Sequence, residues 1–229
     1  KNVAIFVFFS KCLTVLIGSR DVNNSINVKG FGEASYEGFM DGEFIEPKNL
    51  EKAIKEAISR AEKNSSMQIN SLLVGVPTEF CFSLCKNVCQ NYLKPKKITQ
   101  KDIDKIYDSV NHFDDIKTHQ VMNKDSVYFV LGENNKVSNP IGQVDTKITA
   151  CLSFMLVENS FLNLVGKALD HNNITRVKYV SSTYAQSLYL FDDEQRDKYA
   201  LLIDCGYITT SVSLIRGRGI LNLSSFSLG

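Results

Sequence analysis

Neither sign of charge is in excess in these 229 residues: 26 Lys and Arg stand against 25 Asp and Glu, a net of +1. That balance removes the electrostatic argument for a nucleic acid or an anionic membrane surface as partner. The one short basic cluster, Lys94-Pro95-Lys96-Lys97, reads as a solvated loop. A long apolar run is missing as well. Val3 to Ile17 comes nearest, but Ser10 and Lys11 interrupt it, and it falls short of the roughly 20 residues a spanning helix needs. It lacks a small-residue cleavage site of the signal-peptide kind, and reads instead as two strands with a turn at Ser10-Lys11. CxxC pairs are absent, and the three histidines, His112, His119 and His171, lie far along the chain from Cys81-x-x-x-Cys85-x-x-x-Cys89. On a strand these three thiols fall at even spacing on one face, where Cys behaves as a small hydrophobe. Together with Cys12, Cys151 and Cys205 they read as free thiols in a reducing cytoplasm, not as a metal site or disulfide framework. His112 and His119 read as surface residues, because neither has a Cys or acid arranged as a nucleophile–base pair.

What is present is an ordinary folding composition, 44% hydrophobic and 22% charged, enough apolar surface for a core. Leu50, Ala53, Ile54, Ala57, Ile58 and Ala61 recur at helical spacing, with Pro47 at the first turn and Lys52/Glu56 and Glu56/Arg60 pairs on the wet face. Asn64-Ser65-Ser66 ends this helix, and Ile69 to Val76 reads as a buried strand stopped by Pro77. A different module follows. Phe80 to Tyr92 has strand character, and Thr99-x-x-Asp102 has the form of a capping box opening a helix with Ile103, Ile106, Tyr107 and Val110 on one side. Ser126 to Leu131 and Ile148 to Val157 are further strands. Phe161, Leu164, Val165, Ala168 and Leu169 form another amphipathic helix, then come a strand over Ile174 to Val180, a short helix over Ser182 to Phe191 and a polar connector, Asp192-Asp193-Glu194.

The stretch with the most chemistry is Asp204-Cys205-Gly206-Tyr207-Ile208-Thr209-Thr210-Ser211, set between the apolar runs Tyr199 to Ile203 and Val212 to Ile215. A strand ending in an acid, a Gly turn and paired threonines is the form of a phosphate-gripping hairpin. Its backbone N–H groups and hydroxyls hold phosphate, and the acid orients a hydrated Mg²⁺. The bland alternative is that Asp204 caps the turn, that Thr209 and Thr210 are good strand formers, and that Tyr207 packs on the turn. Placing Ile5 to Leu13 over Leu202 to Thr210 superposes two copies of strand, tight turn, strand. A polar turn follows each (Ser19 to Asn24, and Arg216-Gly217-Arg218-Gly219), then a third strand, Ser25 to Val28 and Ile220 to Phe226. A duplicated meander is what a two-lobed phosphate-binding fold would show. The second meander cannot bury its apolar face alone, so the reading expects further polypeptide or a partner over it and favours a truncated chain.

These residues resemble the bacterial cell-division FtsA family of the actin and Hsp70 ATPase superfamily. Gly30-Phe31-Gly32-Glu33-Ala34-Ser35 with Gly38-Phe39-Met40-Asp41-Gly42-Glu43-Phe44 is similar to the family's glycine-spaced third strand and following turn. Ala57 to Glu62 is similar to its helix end, Ile98-Thr99-Gln100-Lys101-Asp102-Ile103 to "I-T-x-x-D-I", Asn139-Pro140-Ile141-Gly142 to "N-P-x-G", and Ile203-Asp204-Cys205-Gly206 to "D-I-G-G-G-T". The resemblance implies an α/β (α+β) chain with an actin-like, ribonuclease H-like ATPase fold. Residues 1–76 and 159–198 would form subdomain 1A, residues 77–158 an inserted SHS2 (1C) subdomain, and residues 199–229 the first strands of subdomain 2A.

In the same terms, the nucleotide-binding positions, if retained, are Ser10, Lys11, Asp204, Gly206, Thr209 and Thr210, with Asp204 a weak metal ligand. ATP and Mg²⁺ are then the cofactors. The first loop departs from the family's "D-I-G-T/S-x-K" by placing Val7 at the Asp and Phe9 at the Gly. The second replaces glycines by Tyr207 and Ile208 and an Asp by Ser211. One carboxylate of three leaves a weak Mg²⁺ site. The expectation is therefore a non-enzymatic scaffold that self-associates through 1C, with FtsZ and the membrane reached only through regions outside this sequence, and no nucleic acid. The full-length form would be cytoplasmic, peripheral to the inner face of the cell membrane at the division site. The alternatives are an ATP-binding actin-like ATPase of cell division, or an actin-like pilus or envelope assembly protein, against which the inserted module argues.

Overall fold

The computed structural model describes every residue except 1, 24, 37, 38, 41, 42, 45 and 111–115, with the backbone alone at 39 and 40. The expectations for Gly38, Asp41, Gly42 and His112 lie outside the described residues. The chain opens with β1 (Asn2–Phe8), β2 (Cys12–Arg20) and β3 (Ile26–Ser35), then the short β4 (Phe39–Met40) and β5 (Glu43–Phe44), helix α1 (Pro47–Ser65) and β6 (Ser71–Val76). A single 3-10 turn over Thr78–Phe80 leads into β7 (Cys81–Lys97), α2 (Gln100–Asp108), β8 (His119–Leu131), β9 (Asn135–Val137) and β10 (Val144–Glu158). The chain returns through α3 (Asn159–Asp170), β11 (Arg176–Ser181), α4 (Ser182–Leu190) and α5 (Asp193–Asp197), and continues into β12 (Ala200–Cys205), β13 (Thr210–Arg216) and β14 (Gly219–Phe226).

The first sheet runs β11-β6-β1-β2-β3, with β6 parallel to both β1 and β11 and the meander antiparallel. Its core is built as the periodicity dictates. The α1 stripe is buried residue for residue, from Leu50 to Ala61, against Phe6, Leu13 and Val15. The glycine-spaced part of β3 has a steric cause. A Cβ at Gly32 would lie 2.0 Å from the Ala57 carbonyl oxygen, and one at Gly30 2.7 Å from that of Ala61. Only glycine lets α1 lie this close to the strand. β3 runs past Val28, where the hydrophobic pattern ended it, through the Gly30 to Ser35 stretch that the family resemblance gave to the third strand.

The second sheet, β7-β10-β8-β9, turns one face to α2. The predicted cap forms around the Asp102 carboxylate, which accepts from the Thr99 N–H at 2.9 Å and from the Thr99 hydroxyl at 2.7 Å. Lys96 pairs with the same carboxylate and, with Thr99, holds it down to a pKa of about 2. The other face carries Cys81 and Cys85, and all six cysteines are free. Burial pushes the Cys81 thiol up to about 12. Among the described residues no group of His, Cys, Asp and Glu is placed to hold a metal ion, and no helix is long and apolar enough to cross a membrane.

The third sheet, β12-β13-β14, differs from expectation in having a cover on one face. Ala200, Leu202, Ile215 and Ile220 pack on Met155 of β10 and Tyr184 of α4. The Ser153 hydroxyl bonds both the carbonyl and the N–H of Ile220, at 2.7 and 3.1 Å. Gly217 has φ +58, and a Cβ there would meet the Val127 carbonyl oxygen at 2.2 Å, so the β13–β14 turn is lodged against β8. The Tyr184 hydroxyl donates to Asp125 at 2.6 Å, and Arg218 approaches the other Asp125 oxygen at 3.5 Å. The opposite face of the meander leaves Leu201 and Ile203 exposed. The polar connector at Asp192 to Glu194 is likewise a correction: it opens α5, with a reciprocal cap between Asp192 and Gln195.

Candidate functional site

The two hairpins that resemble each other in sequence also share their register. Val7 faces Thr14 and Phe8 faces Leu13 across β1–β2. Asp204 faces Ser211 and Cys205 faces Thr210 across β12–β13. Each turn closes with the equivalent bond, Phe9 N–H to Cys12 C=O at 2.9 Å and Gly206 N–H to Thr209 C=O at 3.0 Å. A Cβ on Gly206 would stand 2.7 Å from the Thr209 oxygen, which accounts for the glycine in the second turn.

Both turns open on one cleft of about 480 Å³. Ser10, Lys11, Asp204, Gly206 and Thr209 line it together. Thr210 does not. Strand alternation sends its side chain away, and its hydroxyl donates to the Leu228 carbonyl at 2.6 Å. The cleft also has walls that reading by motif missed: Tyr36, Pro77 to Glu79 after β6, and Ser182 and Gln186 of α4. A topological signal pointed to them. Ligand crevices in sheets of this kind lie beyond the carboxyl ends of parallel strands, where β6 and β11 deliver Pro77 and Ser182.

The electrostatics are sparse. Lys11 reaches across the cleft so that its ammonium sits 3.8 Å from the centre of the Tyr207 ring, and it draws the Tyr207 hydroxyl below the usual tyrosine range. Asp204 is held by Gln186, whose amide donates to it at 3.0 Å. Burial, reinforced by Glu79, raises Tyr36 above its ordinary value. The hairpins therefore bring one ammonium and one carboxylate, with Glu79 as a second acid across the cleft. A magnesium triphosphate needs several carboxylate or water-held oxygen ligands and a surplus of donors on the phosphates. Val7 stands where a first acid would be, and Ser211 offers only a hydroxyl. The donor set does not fit that group.

No family model matches the chain. It is 22% identical over 207 residues to the cell division protein FtsA of Buchnera aphidicola subsp. Baizongia pistaciae, covering 88% of this chain and 48% of that one. It is 22% identical over 197 residues to FtsA of Streptococcus pneumoniae serotype 2, covering 86% and 43%, and 19% identical over 214 residues to FtsA of Neisseria meningitidis serogroup B, covering 93% and 51%. The chain is a divergent FtsA-like protein. It spans about half the length of the curated relatives it matches.

Among solved structures, a PilM-PilN type IV pilus biogenesis complex superposes with a TM-score of 0.63 at 15% identity, covering 99% of this chain and 62% of that one. The ethanolamine utilization protein EutJ from Carboxydothermus hydrogenoformans gives 0.52 at 8%, covering 100% and 53%. The fold of this FtsA-like chain is the actin-like ATPase fold.

Proposed function

We propose that this chain is part of an actin-like scaffold of bacterial cell division in which the nucleotide cleft is degenerate and no reaction is catalysed. One observation supports this reading above the others: the two hairpins face a common cleft in matching register, yet the position matching Asp204 is Val7. A triphosphate must be gripped from both walls. Here one wall offers an acid already bonded to Gln186, and the other a lysine drawn onto Tyr207. Phosphoryl transfer further requires an oriented water, and Gln186, which lines the cleft with its side-chain oxygen unpartnered, already commits its amide to Asp204. Isothermal titration with ATP and Mg²⁺ tests the reading: binding no tighter than millimolar is expected, and micromolar affinity overturns it.

On this reading residues 1–76 and 159–198 serve as subdomain 1A, residues 77–158 as the SHS2-like subdomain 1C, and residues 199–229 as the start of 2A. Self-association runs through 1C. FtsZ and the membrane are met through parts of the full-length protein outside this sequence, and the assembly is cytoplasmic and peripheral to the membrane at the division site. Removing 1C outright is a poor test, since Phe80 and Val157 belong to the main core. Leu93, fully exposed on β7, is the better probe: Leu93→Glu in the full-length protein should raise the concentration needed for assembly while leaving the fold intact.

A second reading is an actin-like assembly factor of a pilus or envelope system, with the superposition on the pilus complex supporting its fold. Co-sedimentation of the full-length protein with FtsZ separates the two.

A further inference from the structure

The Asn139-Pro140-Ile141-Gly142 motif has no part in the nucleotide cleft, yet it shapes one wall of a second cleft of about 400 Å³, lined on this side by Ser138, Asn139 and Gln143. Gly142, at φ +89, closes a tight turn in which the Gln143 N–H donates to the Pro140 carbonyl at 3.1 Å, a left-handed position that favours glycine. The turn is moored to the end of β7. The Ile98 N–H donates to the Gln143 carbonyl at 2.8 Å, and the Gly142 N–H donates to the Ile98 carbonyl at 2.9 Å. The Asn139 side-chain oxygen accepts from the Ile141 N–H at 3.0 Å, which leaves its NH₂ group as a donor at the cleft.

Two cations meet this turn at the Tyr128 ring. Lys136 of β9 stands opposite Val130, on the same face of the second sheet as Tyr128, with its ammonium 4.9 Å from the ring centre. Arg216, the last residue of β13, brings its guanidinium to 4.8 Å from the same centre. Tyr199 holds it there, with its own ring centre at 4.8 Å and its hydroxyl accepting from the guanidinium at 3.0 Å. Among the described residues neither cation has a carboxylate at ion-pair distance. Asp197, which ends α5, also lines the cleft, and a 2.7 Å bond from the Gly217 N–H to the Arg196 carbonyl keeps that helix end beside Arg216.

We propose that this cleft binds a phosphomonoester with a hydroxyl-bearing body, of the sugar phosphate class, across the seam between the second sheet and the meander. Two cations kept at one ring without a counter-ion repel each other. A phosphate dianion removes that repulsion while accepting hydrogen bonds from both. A carboxylate carries one charge and would leave the second cation unmet. The Asn139 and Gln143 amides are donors to the ester, and the Asp197 carboxylate accepts from hydroxyls of the body. The same carboxylate opposes a longer polyphosphate. The cleft volume lies within the range of about 300–1,000 Å³ that suits a small molecule. Its two walls belong to β8 and β9 on one side and β13 on the other, so an occupant ties the seam together. The two clefts share no lining residue, and this site stands whether or not the first holds a nucleotide.

The test is titration of the isotope-labelled 229-residue chain with ribose phosphate, followed by amide NMR and calorimetry. Saturable shifts are expected from Lys136 to Gln143 and at Arg216 and Gly217, with none at Ser10 or Lys11. Inorganic phosphate should bind several-fold more weakly, and ribose alone should shift nothing. Arg216→Gln should weaken binding by about tenfold or more. Lys136→Gln, at an exposed side chain, should weaken it several-fold at unchanged melting temperature, which separates lost binding from lost folding. The proposal is overturned by the absence of saturable shifts at millimolar probe, by shifts at Ser10 and Lys11 instead, by inorganic phosphate binding as tightly as the ester, or by unchanged affinity in Lys136→Gln.

Discussion

The β1–β2 and β12–β13 hairpins have one backbone and two fates. Register and turn bond coincide, but Phe6 is wholly buried while its equivalent, Ile203, is 56% exposed. The first hairpin has become a wall of the main core, its Phe8 ring packed 4.7 Å from Phe6 and 5.2 Å from Phe161. The second keeps the acid and the glycine of a binding turn at the surface. One backbone conformation thus serves a packed wall in the first hairpin and an open polar turn in the second.

The largest expected effect separates the hairpins as core and surface. Phe6→Ala should lower unfolding free energy by about 3–5 kcal/mol, and Ile203→Ala by under about 1 kcal/mol, read by urea denaturation; equal losses would break the comparison. Second, the pair Val7→Asp with Phe9→Gly makes the first turn match the second, and should strengthen ATP–Mg²⁺ binding at least about tenfold, or about 1.4 kcal/mol, by isothermal titration. No gain would mean that the cleft is limited by something other than the missing acid and glycine. Third, Gly206→Ala should cost about 1 kcal/mol or more, because the new Cβ meets the Thr209 oxygen. Phe9→Ala, at a half-exposed position, should stay within about 0.5 kcal/mol. The smallest effect is Tyr207→Ala. Losing an exposed cation–π contact costs about 0.5–1 kcal/mol at most, and the sharper readout is a Lys11 ammonium released from the ring, followed by NMR.

A pH series sharpens the contrast from the side of the second sheet. Asp102 titrates below its unfolded value in the folded chain, so its contribution is present above about pH 4 and is lost as pH falls through about 2. Asp102→Asn should therefore destabilise the chain at neutral pH and converge with the parent near pH 2. A constant difference across that window would remove the carboxylate from the account.

How much of this was legible in the sequence depends on the range of the interaction. The α1 stripe, the Thr99–Asp102 cap and the paired hairpins are local patterns, and each lies where its residues place it. α5 was hidden because five residues carry no helical period; only Asp192 and Gln195 at capping distance betrayed it. Tyr36, Glu79 and Gln186 enter the cleft from three separate elements, a convergence that only the order of the parallel strands creates. Thr210 was misassigned to the site for a simpler reason: in a strand, neighbours face opposite ways, and Ser211 holds the inward place.

The seam behind the cleft has a mechanical meaning. The second sheet is tied to the first layer by Phe80 and Val157 and to the meander by Gly217 lodged on Val127 and by Ser153 on Ile220. It acts as a tie-bar between the two walls. In a hinged clamp a ligand in the jaws sets their spacing. Here the spacing of the hairpins is set from the rear, where Gly217 meets Val127 and Ser153 meets Ile220.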